Sequence, residues 1–204
     1  NISTTGDRSS GIVSYGGGNS TTVSGTITTS GVYSPAIDSL GTGISNTVSV
    51  TGSITTTGTG SSGVEFYGAT NSATISGTIN SSGTDSSALR NQNGNGNSFQ
   101  LNEGAIIIGD ILAIGGSTVT NGKLIFNLGE GTSYAYSVSG NGSGTGAGQW
   151  TFSDLDGRTQ GISTTGSGCN LSIEKAFTTT CNLVTAVTPG NIEAQSELQY
   201  VSNR

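Results

Sequence analysis

The chain has no histidine and no methionine, two prolines, two cysteines and one tryptophan, and only 9% of its 204 residues are charged. Without histidine there is no Ser-His-Asp or Cys-His arrangement and no zinc motif built on paired histidines. Six basic residues against twelve acidic ones give a formal net charge of −6 with no basic run, so the electrostatic footprint of a nucleic-acid binder is missing. No stretch reaches the roughly 18 apolar residues that a membrane-spanning helix needs. Ala105 to Ile114 is apolar but short, and Asp110 interrupts it. No glycine-rich phosphate loop is followed by Lys-Ser or Lys-Thr, and no cofactor is expected. No signal peptide opens the chain, which fits a processed or excised segment.

What fills the chain instead is glycine, 35 of 204 residues, with serine, threonine and asparagine. Such a composition is compatible with disorder. The placement of the aliphatics argues otherwise. One phrase recurs as Ile2-Ser-Thr-Thr-Gly6, Ile27-Thr-Thr-Ser-Gly31, Ile54-Thr-Thr-Thr-Gly58 and Ile79-Asn-Ser-Ser-Gly83, at steps of 25, 27 and 25, and a further step of 27 lands on Ile106. A fixed period in the twenties marks one supersecondary unit stacked on itself. Residue 1 falls inside a repeat, which suggests a piece of something longer.

Other positions keep the same step. Gly25, Gly52, Gly77 and Gly104 precede the phrase; Val23, Val50, Ile75 and Leu101 come before them, and Asn19, Asn46, Asn71 and Asn97 earlier still. Ile12, Ile37, Val64 and Leu89 follow it. Each period therefore carries about three short stretches of apolar–polar alternation, separated by Gly, Asn or Ser. Alternation indicates strands with one buried face, and Gly and Asn supply left-handed corners. Three strands per turn describe an all-β fold, a parallel β-helix, with neighbouring rungs about 4.8 Å apart.

Stacking then predicts an internal ladder of Ile2, Ile27, Ile54, Ile79 and Ile106. It predicts an amide ladder of Asn19, Asn46, Asn71 and Asn97 at one corner. The Thr and Ser of each phrase form hydroxyl rows suited to an outer face. A β-sandwich with coincidental spacing is the competing fold.

Three regions follow. Residues 1–116 are regular repeats. Residues 117–160 are looser closing rungs with larger inward residues, Leu124, Phe126, Tyr134, Tyr136, Trp150 and Phe152. Residues 161–204 hold a cysteine loop and a connector. Cys169 and Cys181, in a segment without histidine, are read as a disulfide, which stabilises by about 3 kcal/mol for so short a loop and favours an oxidising compartment. After Pro189-Gly190, residues 191–202 are expected to form a short helix, with Asn191 as N-cap and Ile192, Leu198 and Val201 on one side.

Sites of chemistry are few. Asp154 and Asp156, in Asp154-Leu-Asp156-Gly157-Arg158, resemble part of a calcium loop but lack its downstream glutamate, so an Asp-rich turn is the competing reading. Asp38, Glu65 and Arg90 are spaced by 27 and 25 and are expected to stack as a charged column. Clustered carboxylates with a basic neighbour are what glycan-cleaving β-helix enzymes need, whereas a solvated charge ladder is the plainer alternative. Sequons such as Asn19-Ser-Thr and Asn80-Ser-Ser are common by chance in this composition.

The repeat form seen in Asn19 to Gly31, Asn46 to Gly58 and Asn71 to Gly83 resembles the passenger domains of bacterial autotransporters. The stretch from Asn121 through Phe126, Tyr134 and Trp150 to Arg158 is similar to the region just before the outer-membrane barrel in that family. The likeness covers most of residues 1–160. The cysteine loop departs from it, and no barrel is present. It implies a right-handed β-helix stalk, export through the periplasm and outer membrane to the cell surface or medium, folding from the C-terminal end, and the barrel of the same precursor as partner. The expected function is a non-catalytic structural or adhesive stalk touching surface glycans or neighbouring cells. The alternatives are a self-assembling extracellular fibre built by end-to-end stacking of copies, and a glycan-cleaving enzyme or phage tail-spike segment.

Overall fold

The computed structural model describes residues 1–40, 45–114, 120–127, 133–136, 138–141, 148–155, 162–165 and 183–187. Its core is an all-β parallel β-solenoid of about five turns, and the described residues include no helix. The first rung comprises β1 (Ile2–Thr4), β2 (Ile12–Ser14) and β3 (Ser20–Val23); the second, β4 (Thr26–Thr29), β5 (Ile37–Ser39) and β6 (Thr47–Val50). The third holds β7 (Ser53–Thr56), β8 (Ser62–Tyr67) and β9 (Ser72–Ile75), and the fourth β10 (Thr78–Ser81), β11 (Ser87–Gln92) and β12 (Asn97–Asn102). The fifth holds β13 (Ile106–Ile108), β14 (Asp110–Ile114) and β15 (Thr120–Asn127). Beyond it lie β16 (Ser133–Tyr136), β17 (Val138–Asn141), β18 (Gly148–Asp154), β19 (Ile162–Thr165) and β20 (Leu183–Val187).

Equivalent strands pair in parallel into three sheets. Sheet A runs β1-β4-β7-β10-β13; sheet B runs β2-β5-β8-β11-β14-β17; sheet C runs β3-β6-β9-β12-β15-β18. β16 leaves this scheme and pairs antiparallel with β20, which also pairs with β19. Tyr134 and Tyr136, expected to face inward from a closing rung, therefore lie on a strand outside the three solenoid sheets. The cysteines, Asp156 and residues 191–202 fall outside the described residues.

The core is a set of columns. Ile27, Ile54 and Ile79 are mutual partners in sheet A and are fully enclosed. Ile12, Ile37, Val64, Leu89, Ile111 and Val138 form the sheet B column, and Val23, Val50, Ile75, Leu101 and Phe126 that of sheet C. Larger side chains fill the later turns. Phe66 stacks on Phe99 with centroids 4.8 Å apart, Trp150 tilts against Phe99 at 6.0 Å, and Phe126 stacks on Phe152 at 6.5 Å.

Two residues expected in the aliphatic ladder sit differently. Ile2 pairs with Ile27 but is 37% exposed in the first rung. Ile106 is out of register: Ile79 pairs with Ile107, and Ile106 pairs with Thr78 and is 51% exposed. The cause is the turn before β13. In the middle rungs the residue right after the ladder glycine donates its N–H to the preceding glycine carbonyl, as Ser53 does to Gly25 and Thr78 to Gly52. Leu101 and Ile106 are five residues apart where their partners Ile75 and Thr78 are three apart, so the turn is two residues longer; Ala105 is buried in it, and Ile106 makes the equivalent bond to Gly77. The step becomes 28 and the side chains shift by one position, which exchanges the two faces of the strand.

Gly16, Gly18, Gly60, Gly68, Gly96, Gly104 and Gly109 have the left-handed backbone expected of glycine, but most glycines of the stacked columns do a different job. A Cβ on Gly31, Gly58 or Gly83 would overlap the carbonyl of Gly6, Gly31 or Gly58 beneath it, and one on Gly52 or Gly77 would overlap Gly25 or Gly52. Among these columns only Gly104 has a left-handed backbone, at φ +81°. Close approach between rungs, and not φ, makes glycine necessary there. One left-handed corner, in the turn from sheet A to sheet B, falls on Arg8, Tyr33, Gly60 and Asp85, with φ between 52° and 66°. Three of those four are not glycine.

Candidate functional site

Two kinds of polar stack run along the solenoid. The first is neutral. The Oδ1 of Asn46, Asn71 and Asn97 accepts the backbone N–H of Asn19, Asn46 and Asn71 at 2.9, 3.0 and 2.7 Å. Asn46, Asn71 and Asn97 are enclosed, and Asn19, in the first rung, is partly exposed. Each amide thus satisfies a corner N–H that the strand ladders leave over. The side-chain amide groups find their own acceptors: Asn46 Nδ2 reaches Gly16 O and Ser39 Oγ at 2.9 Å each, and Asn97 Nδ2 reaches Asn91 Oδ1 at 2.7 Å. The ladder ends at Gly122, the partner of Asn97, and at Trp150, the partner of Gly122. The Trp150 ring occupies the space that a Gly122 side chain would need.

A second neutral ladder was not anticipated. Ser34 Oγ accepts the Ser9 N–H at 3.0 Å, and Ser61 Oγ accepts the Ser34 N–H at 2.9 Å. The two hydroxyls in turn donate to Gly6 O and Gly31 O, both at 3.0 Å. Ser9, Ser34, Ser61 and Ser86 keep the 25, 27, 25 step, so the signal was present but hidden among many serines. The hydroxyl rows also divide between the faces. Thr29, Thr56 and Ser81 are buried, and Thr29 Oγ1 donates to Ser34 O at 2.7 Å while Thr56 Oγ1 donates to Ser81 Oγ at 2.7 Å. Thr26, Thr28, Ser53, Thr55, Thr78 and Asn80 form the outer rows of sheet A.

The charged stack is Asp38, Glu65 and Arg90 on sheet B. They are consecutive partners across β5, β8 and β11. It is not a solvated ladder. Asp38 is half-buried, Glu65 keeps 9% of its surface, and the side chains of Arg90 and Glu65 are 18% and 12% exposed. Arg90 Nε lies 3.7 Å from Glu65 Oε1, too long for a hydrogen bond, and it donates none, so this contact is held by charge. Burial, and then the Glu65 charge, push the Asp38 carboxyl from 3.8 up to about 6, against an opposing pull from Arg90. Burial raises Glu65 as well, opposed by Arg90 and by a hydrogen bond from Ser62. A half-buried acid with a raised pKa beside a second carboxyl is the chemistry that proton transfer uses. Here, however, the second carboxyl is covered and held by a cation.

Of the calcium candidates, Asp154 closes β18 opposite Phe126, and Asp156 lies outside the described residues. Among the described residues no three His, Cys, Asp or Glu side chains converge as a metal site. No protein-family model, curated protein or solved structure matches this chain.

Proposed function

We propose that the chain is a non-catalytic surface stalk, the membrane-proximal part of an autotransporter passenger, whose outer rows of hydroxyls and amides contact glycans or neighbouring cells. The observation that carries this reading is the unbroken in-register stacking of the internal columns through the middle rungs, Ile27-Ile54-Ile79 in sheet A and the Asn46-Asn71-Asn97 ladder. Every strand there is hydrogen-bonded on both sides, which makes a stiff element that needs no large globular core. The repeat form and the aromatic stretch up to Arg158 supply the likeness to the passenger family. Against a hydrolase stands the geometry of the charged column. Glycoside cleavage uses two carboxyl groups facing one substrate, and Glu65 is covered where Asp38 is not.

The test is to join the chain to an outer-membrane barrel translocator in a bacterium with an outer membrane. Antibody labelling of intact cells and removal of the label by added protease are expected. Retention in the periplasm would overturn the passenger reading. Incubation with a panel of acidic and neutral polysaccharides is expected to leave their viscosity unchanged. A loss of viscosity that Asp38→Asn abolishes would replace the stalk with an enzyme.

A further inference from the structure

The charged column on sheet B holds two carboxyls and one guanidinium on three successive rungs, about 4.8 Å apart. Its ends are apolar: Val13 pairs with Asp38 on one side, and Leu112 with Arg90 on the other. The neighbouring elements bring no second cation among the described residues. Along β8 the next outward residue is Tyr67. β7 and β10, packed beneath β8, carry no titratable side chain. At the start of β14 stands Asp110, the partner of Ser87 and a further carboxyl, and the turn before β11 carries Asp85. When both carboxyls are ionised, the column holds an unbalanced negative charge next to a glutamate that water barely reaches. With one proton on the pair, one carboxylate faces one guanidinium and the charges cancel.

We propose that Asp38 and Glu65 hold a single proton between them in the folded solenoid, and that this proton is a pH-controlled clasp across the second, third and fourth rungs. In acid the clasp is closed. When the proton leaves, two carboxylates on adjacent strands repel each other and sheet B loosens locally. The direction follows from burial and the mutual charge, which both raise Asp38, to about 6 from 3.8. A folded-state value above the unfolded one gives stability that is complete below about 4 and is lost as the pH rises through about 6. The titration belongs to the pair and not to either residue alone.

The experiment is thermal unfolding of the full chain between pH 4 and pH 8, with Asp38→Asn and Glu65→Gln beside it, together with carbon-13 NMR titration of the side-chain carboxyls. The melting temperature of the unmodified chain is expected to fall by about 5 °C between pH 5 and pH 7, an effect of roughly the size that one to two kcal/mol produces in a protein of this length. Asp38→Asn is expected to be flat over that window. One carboxyl of the pair is expected to titrate near 6. Parallel melting profiles for the parent and Asp38→Asn would overturn the clasp, and so would two carboxyl midpoints near 4. The NMR titration uses the unmodified chain, so it decides the matter even where a variant fails to fold.

Discussion

The third and fifth rungs are both entered by glycine, one residue and isoleucine, Gly52-Ser53-Ile54 and Gly104-Ala105-Ile106, and use that spacing differently. Ile54, in the middle of sheet A, is enclosed by Ile27 and Ile79. Ile106, reached by continuing the same count, points outward because the turn before it is longer. Gly58 is needed because a carbonyl lies where its side chain would go, whereas Gly104 stands in open space with a left-handed backbone. In the third rung a buried asparagine caps the N–H of the rung before; in the fifth, Gly122 takes that position and Trp150 packs over it. A residue's role in a solenoid is thus set by which backbone group its own backbone bonds to in the rung below. Counting letters finds that role only while the turns keep their length.

The contrast can be tested in pairs of variants. Ile54→Asp buries an unpaired carboxylate and is expected to cost several kcal/mol, enough to abolish cooperative unfolding in denaturant titrations. Ile106→Asp should stay within about 0.5 kcal/mol of the parent, since it falls on the exposed face. Equal melting of the two variants would sink the register described for β13. Next in size is Gly58→Ala, where the added methyl meets the Gly31 carbonyl; overpacking of this kind costs about 1–3 kcal/mol or more. Asn71→Leu leaves the Asn46 N–H without its acceptor and is expected to cost about 1–3 kcal/mol. Hydrogen exchange should show the Asn46 amide losing protection before its neighbours on β6 do. Of the two glycine variants the milder is Gly104→Ala, at about 1–2 kcal/mol, from a left-handed backbone with no steric clash; a cost larger than that of Gly58→Ala would reverse the argument about what the glycines do.

Much of this fold was legible in the sequence. Four position classes shared one step, so the parallel solenoid and its three-strand rung could be read from Ile27, Ile54 and Ile79, from the valine and leucine columns and from the asparagines. The columns persisted because parallel strands stack like on like. What was not legible has physical causes. The β13 register depended on the length of one turn, and turn length leaves no trace in an apolar–polar pattern. The serine ladder was masked by the abundance of serine. One left-handed corner carries Arg8 and Tyr33 beside Gly60 and Asp85, and arginine and tyrosine announce no such conformation. The charged column was readable as a stack of Asp38, Glu65 and Arg90, but its enclosure was not. Spacing along a chain reports which side chains are neighbours and says nothing of how much water they keep.

The glycine columns bear on how such a molecule changes length. Gly31, Gly58 and Gly83 let each of these turns sit so close to the one beneath that the two backbones touch, and at this corner each offers its successor the same backbone contact that it met itself. A residue inserted within a strand would spoil that surface for everything after it. A residue inserted at a corner is absorbed, as the unequal steps between Ile27, Ile54, Ile79 and Ile107 record. Duplication of an entire turn leaves this glycine contact as it was. The architecture therefore has a natural unit of growth, and a lineage could set its reach in increments of about 4.8 Å, the distance between paired strands, by copying or deleting one repeat at a time.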